Sequence, residues 1–374
     1  MTWKVPLADV KITDGDVEAV VSAYGSGWLS MGPRTQSFEA AFAEYLGVRH
    51  AVAVSSGTAA LHLMYVACGL GPGDEVVLPS MTFVATAAAV RHAGAVPVFA
   101  DIAGELEPWL SASAAERAIG PATKAIVHVP YGGHPGELGA LAELAERRGL
   151  LLLQDAAHAL GSKLGERHLG AIGSAAAFSF FANKNLAIGE GGMVATDDDG
   201  IAERVKALRS HGMTALTWDR HRGHAAGYDV PQLGFNYRLD EPRAALGVYR
   251  LAHLDEENAR RAALAAAYRD AFSGRVRCAM PERPGATSAD HLFTIVVDAA
   301  QRDAIRRRIA EQAVQTSVHY PPIHRFTAFR DGTPPLPVTE RYGDRVVTLP
   351  LFAHMTEAQH RLVVDAVTAA IEPE

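Results

Sequence analysis

"HAVAVSSGTAALHLMYVACGLGPGDEVVLPSMTFVATAAAVRHAGAVPVFAD", His50 to Asp101, is the stretch that decides the fold. It alternates short β-branched runs with Ala/Leu-rich helical ones. "HAVAVSS" (50–56) reads as a strand entering a turn, "GTAALHLMYVAC" (57–68) as a helix, and "DEVVLPS" (74–80) as a second strand. "TFVATAAAVRHAG" (82–94) reads as a second helix ended by glycine, and "VPVFAD" (96–101) as a third strand. The rhythm continues through strand "TKAIVHVP" (123–130), helix "ELGALAELAERRG" (137–149) and strand "LLLQDAA" (151–157). It predicts an α/β chain with a mostly parallel sheet flanked by helices. Ligands of such sheets sit at the carboxyl ends of the strands, beside helix N-termini.

Beyond about residue 250 the pattern changes. "RLAHLDEENARRAALAAAYRDAF" (250–272) reads as one long helix. Strand "HLFTIVVD" (291–298), an amphipathic helix near 301–312, a strand and loop at "TSVHYPPIH" and a final helix around 356–371 follow. The expected organisation is a large domain over residues 1–250, whose N-terminal segment packs on a smaller C-terminal α+β domain over 251–374.

Bulk properties narrow the function classes. The formal net charge is −7 and the pI near 6.1, which argues against a nucleic-acid surface. The Arg-rich stretch Arg302–Ala310 reads as the solvated face of a helix. The two cysteines, Cys68 and Cys278, have no metal-type spacing, so a zinc site or disulfide framework is not expected and a reducing cytoplasm fits. No signal peptide, membrane span or internal repeat is expected.

Three constellations lie at strand ends. "SSGTAAL" (55–61) leads a strand into a helix, and Gly57 would let an anion approach the free N–H groups there. A plain helix cap is the competing reading. In "LLLQDAAHALGS" (151–162), Asp155 closes an apolar strand and His158 follows. A buried carboxylate needs a cationic partner, unless Asp155 only caps a following helix. In "FSFFANKNLAIGEGG" (178–192), Lys184 stands between bulky apolar residues and a glycine turn. Of the 35 Lys and Arg residues only six are lysines. A lysine in a dry pocket is a nucleophilic amine; the alternative is a loop lysine in solvent. Two further clusters are "GFNYRLDEPRAALG" (234–247), with Asp240 as the helix N-cap, and the Pro-rich "HYPPIH" (319–324). The first three together supply an anion cradle, a carboxylate for a protonated pyridine ring and an amine. That is the set pyridoxal phosphate requires.

In these motifs, and in "GSGWLSMGP" and "FEAAFAEYLGVRHAVAV", the chain resembles the DegT/DnrJ/EryC1/StrS family of sugar aminotransferases, over nearly its whole length. The resemblance implies the aspartate-aminotransferase-like fold (PLP fold type I). Lys184 would be the Schiff-base lysine and proton shuttle. Asp155 would pair with the pyridine nitrogen, and His158 would sit near the ring's phenolic oxygen. Phe83 would stack on the ring, and Gly57, Thr58 and Ser179 would bind the phosphate. Asn236 would reach the phosphate from a partner subunit of a homodimer, and Arg238, also from the partner, would meet the donor carboxylate. Trp28 and Tyr320 would line the sugar-nucleotide site. The segment 211–230 would meet the nucleotide diphosphate or cover the site.

The implied activity moves an amino group from L-glutamate to a nucleotide-linked 4-keto-6-deoxy sugar, with dTDP as the nucleotide. Pyridoxamine phosphate is the intermediate cofactor form. The setting is cytoplasmic deoxysugar and antibiotic biosynthesis. Tyr237 in "NYR" resembles members acting at C4, whereas the C3 group often reads "NSR". A C3 ketosugar, a keto-cyclitol or a non-catalytic PLP-binding regulator are the alternatives. Lys184 disfavours the dehydratase branch, which carries histidine at that position.

Overall fold

The computed structural model describes residues 2–214, 227–330 and 332–371. Seven strands build the main sheet: β1 (His50–Val54), β2 (Glu75–Pro79), β3 (Val96–Ala100), β4 (Thr123–His128), β5 (Leu151–Asp155), β6 (Ala175–Ser179) and β7 (Gly192–Thr196). Their spatial order is β1-β7-β6-β5-β4-β2-β3. The pairs from β3 across to β6 are parallel, and β7 alone runs antiparallel, between β6 and β1. The expected mostly parallel α/β sheet is therefore present.

The strands are apolar at consecutive positions because both faces are covered. Val52, Val54, Val76, Leu78, Leu153 and Ala177 enter one core. Their neighbours Ala51, Ala53, Val77, Leu152 and Ala176 enter the other. Each fully buried Val or Leu side chain is worth roughly 1.5–3 kcal/mol of transfer free energy. The first core includes Ala59, Ala60 and Leu63 of the helix Gly57–Ala67, so that helix is fixed with its N-terminus at the β1 exit.

A second sheet is antiparallel, in the order β8 (Arg277–Cys278), β9 (Phe293–Val296), β10 (Val346–Leu349). Tyr268, Phe272, Ile305, Ile309, Val363 and Val367, from the helices Leu254–Phe272, Arg302–Glu311 and Glu357–Ile371, form a separate core with it. Val5 belongs to this core and makes a parallel bridge to Val314, so the N-terminal segment reaches the C-terminal part of the chain.

Three local expectations need correction. The single helix over 250–272 is two, Glu241–Leu251 and Leu254–Phe272. His253 causes the break: its Nδ1 lies 2.9 Å from the Tyr249 carbonyl oxygen, and its backbone N–H turns to Arg250 instead. "TSVHYPPIH" holds no strand beyond an isolated bridge from Ser317 to Thr348, because Pro321 and Pro322 offer no ladder donors. The second helix starts only at Ala85, which leaves Thr82 and Phe83 at the β2 exit. An unanticipated helix, Pro337–Arg345, takes its N-terminal acceptor from the distant Asp101, whose carboxylate receives the N–H groups of Val338 and Thr339. Asp240 does cap Glu241–Leu251, accepting from Arg243 N at 3.0 Å.

Candidate active site

The carboxyl ends of β1, β2, β5 and β6 open onto one cavity of about 340 Å³. Gly57, Thr58, Phe83, Asp155, His158, Ser179, Lys184 and Tyr320 all line it. Eight of the sequence-derived residues therefore meet in one place. Trp28, Asn236 and Arg238 do not line this cavity. Trp28 donates its indole N–H to the Met31 carbonyl at 3.3 Å. Asn236 is exposed and bridges Ser210 through its backbone, and Arg238 is half-buried near Arg209. Most of the 211–230 segment, residues 215–226, lies outside the described residues.

At the β1 exit, Ser56 caps the helix Gly57–Ala67 by accepting from Ala59 N at 3.1 Å. This leaves the earliest N–H groups of the helix to face the cavity. A Cβ on Gly57 would lie 2.7 Å from the Ser179 Cβ and 2.9 Å from its Oγ. Glycine is thus required for the closeness of these two strand ends. The result is a small cradle of backbone N–H groups and a hydroxyl, suited to an anion.

Asp155 is 5% exposed at the end of β5. The residues after it form turns, so the reading of Asp155 as a helix cap fails. Thr86 Oγ1 donates to its Oδ2 at 2.6 Å, and Ala157 N donates to Oδ1 at 3.3 Å. Burial nevertheless pushes its pKa up, with Thr86, Ala157 and Lys184 pulling the other way. A cation placed against this carboxylate would be held strongly.

His158 is buried and receives Gly132 N at Nδ1, 3.4 Å, so Nε2 carries the proton and faces the Tyr320 hydroxyl at 3.0 Å. Desolvation, then the Lys184 charge, drives its pKa well below the usual imidazole range, keeping the ring neutral. The Tyr320 and Phe83 rings lie 5.9 Å apart at the mouth. The Tyr320 phenol therefore shares its hydrogen bonding with His158 as well as lining the entrance.

Burial pulls the Lys184 ammonium down to about 8, against the opposing pull of Asp155. Lys184 is half-buried in the cavity lining, which argues against a freely solvated loop residue. Sequence reasoning missed Thr86, His291 and Asn185 around this amine and carboxylate. Lys184 Nζ lies 3.5 Å from His291 Nε2, and His291 Nδ1 lies 2.9 Å from Asn185 Oδ1. The only local signal was polarity inside otherwise apolar or catalytic stretches.

Residues 10–368 match the DegT/DnrJ/EryC1/StrS aminotransferase family. The chain belongs to that family. SpsC, a spore coat polysaccharide biosynthesis protein of Bacillus subtilis, is 38% identical over 363 residues, covering 94% of this chain and 93% of SpsC. The crystal structure of the aminotransferase TlmJ from Streptoalloteichus hindustanus superimposes with a TM-score of 0.92 at 36% identity, covering 98% of each chain. DesI, solved in the presence of its TDP-sugar product, gives a TM-score of 0.88 at 34% identity, covering 99% of this chain and 93% of DesI. The chain has the fold of type I aminotransferases and is a sugar aminotransferase of the PLP-dependent transaminase type.

The site fits that cofactor on its own chemistry. The cradle at Gly57 and Ser179 suits a phosphate, the buried Asp155 carboxylate suits a cationic ring nitrogen, and Lys184 supplies an amine of lowered basicity.

Proposed function

We propose that this sugar aminotransferase moves an amino group from L-glutamate to a dTDP-linked 4-keto-6-deoxy sugar, yielding a 4-amino sugar for secondary-metabolite glycosylation. The observation that carries the reading is the meeting of Lys184, Asp155 and the Gly57–Ser179 cradle in one cavity. Similarity to DesI, solved in the presence of its TDP-sugar product, supports the nucleotide. Tyr237 in "GFNYR" supports position C4.

Bound pyridoxal phosphate supplies an electron sink for the charge that develops on the donor α-carbon. Gly57 and Thr58 N–H groups and the Ser179 hydroxyl would hold its phosphate. The Asp155 carboxylate, steadied by Thr86, would keep the ring nitrogen protonated. His158 would sit near the phenolic oxygen and Phe83 would stack on the ring. Lys184 Nζ takes the proton from the donor α-carbon and, in the second half-reaction, delivers one to the sugar carbon that gains the amine. An amine with a pKa near 8 serves both directions at neutral pH.

In this reading the enzyme is a cytoplasmic homodimer. Asn236 and Arg238 complete the partner's site, toward the phosphate and the donor carboxylate respectively, which accounts for their position outside this chain's cavity. Trp28 belongs with the sugar-nucleotide contacts. We divide the chain at residue 250 into the unit carrying the main sheet and the unit carrying β8–β10.

The test is turnover with L-glutamate against matched C4- and C3-ketosugar nucleotides and a keto-cyclitol. Selective conversion of the C4 ketone supports the proposal, and preference for either other acceptor overturns it.

A further inference from the structure

A chain of hydrogen bonds behind Lys184 has a direction fixed at every link. It begins at Asn258, whose Nδ2 donates to the Leu160 carbonyl oxygen at 3.0 Å, leaving Oδ1 to accept. Asn185 Nδ2 donates to that Oδ1 at 2.8 Å and to the Ala289 carbonyl oxygen at 2.8 Å. Both of these partners are acceptors, so the amide of Asn185 has only one orientation. Its Oδ1 then faces His291 Nδ1 at 2.9 Å, and that nitrogen must carry the ring proton. What remains on His291 is the lone pair of Nε2, aimed at Lys184 Nζ at 3.5 Å.

The charges around His291 favour the same state. Lys184 and Arg261 are the cations near it, and the rings of His158 and His319 face it from other elements, with the His158 ring centroid 4.3 Å away. Asp155 acts on the amine rather than on His291. A protonated imidazole here would stand against two cations while 8% exposed. The far end of the chain is close-packed as well: Gly161, at φ +96°, brings its backbone against Asn258, whose Nδ2 would lie 2.3 Å from a Cβ placed there.

We propose that His291 is a positioning residue for the Lys184 amine. It is a neutral Nδ1–H imidazole, its tautomer set by Asn185 and Asn258, that accepts a hydrogen bond at Nε2 whenever Lys184 is not joined to the cofactor. It holds the displaced amine in a fixed orientation beside the cavity that Lys184 lines. The catalytic meaning of this rests on the transamination reading; the contact itself does not. The 3.5 Å separation marks a loose bond, which the amine can leave.

The test uses the apo-protein. Competitive labelling of Lys184 with a limiting acylating reagent, read by mass spectrometry across pH, gives the titration midpoint of the amine. In wild type it lies near 8. A neutral acceptor stabilises the ammonium, so His291→Leu lowers the midpoint by about one pH unit, and His291→Gln, which keeps an acceptor oxygen, recovers part of the shift. An unchanged midpoint means His291 only packs, and a raised one means it is a donor or a cation; either overturns the proposal. Should His291→Leu not fold, nitrogen-15 spectra of histidine-labelled wild-type apo-protein decide, with the His291 signal assigned by its loss in His291→Gln. An Nδ1–H tautomer supports the assignment and an Nε2–H tautomer refutes it. Turnover with glutamate and ketosugar is scored separately, so failure of the transamination reading leaves these results distinct.

Discussion

Thr86→Val removes one hydroxyl at nearly constant volume and tests how the buried carboxylate is kept ionised. Thr86 Oγ1 lies 2.6 Å from Asp155 Oδ2 and is the largest influence that lowers the carboxyl pKa against burial. Hydrogen bonds to a charged group contribute about 1.5–3 kcal/mol. Dividing by about 1.4 kcal/mol per unit, the Asp155 pKa in the apo-protein rises by roughly one to two units in the variant. The sign for cofactor binding follows. A protonated ring nitrogen needs an ionised Asp155, so where the apo-protein binds a proton there, that proton must leave first. Above the shifted pKa both proteins bind pyridoxal phosphate alike. Below it the variant binds more weakly, by roughly 10- to 100-fold. The assay is equilibrium binding of pyridoxal phosphate to apo-protein across pH, with circular dichroism confirming an unchanged fold. Superimposable pH profiles for Thr86→Val and wild type would refute this role for Thr86.

Other consequences are as direct. Gly57→Ala forces a Cβ to 2.7 Å from the Ser179 Cβ and opens the phosphate cradle; cofactor affinity measured by dialysis falls by about 10-fold or more, and the thermal midpoint falls with it. Arg238→Ala raises the KM for glutamate about 10-fold or more, as expected from loss of a charged hydrogen-bonded contact. Mixed with Lys184→Ala, it forms heterodimers that recover turnover at the sites where both functional residues coincide; no recovery would place Arg238 outside a shared site. Asn258→Leu removes the acceptor that fixes the Asn185 amide, so the labelling midpoint of Lys184 moves in the same direction as in His291→Leu.

The main sheet was legible because its strands are buried on both faces and its helices follow at once, so local pattern and tertiary environment agree in 50–101. Lys184 and Asp155 were legible because a charge beside an apolar strand demands a chemical reason. The break after Leu251 was not, since "AH" contains no Gly or Pro and the interruption comes from a histidine ring competing for the Tyr249 carbonyl. The helix at 337–345 was hidden for a related reason: its N-terminal acceptor, Asp101, is 237 positions before Val338. Thr86 and His291 are ordinary residues in their own segments. Their meaning comes from partners 69 and 107 positions away, and no local spacing encodes that.

The central claim is that Lys184 is the amine that joins the cofactor and moves the proton. The most direct measurement is the absorption spectrum of the protein with pyridoxal phosphate, before and after L-glutamate, beside Lys184→Ala. In wild type a band of the lysine-bound cofactor forms and glutamate converts it to the pyridoxamine form; Lys184→Ala shows no such band. Identical spectra for wild type and Lys184→Ala would contradict the assignment of Lys184.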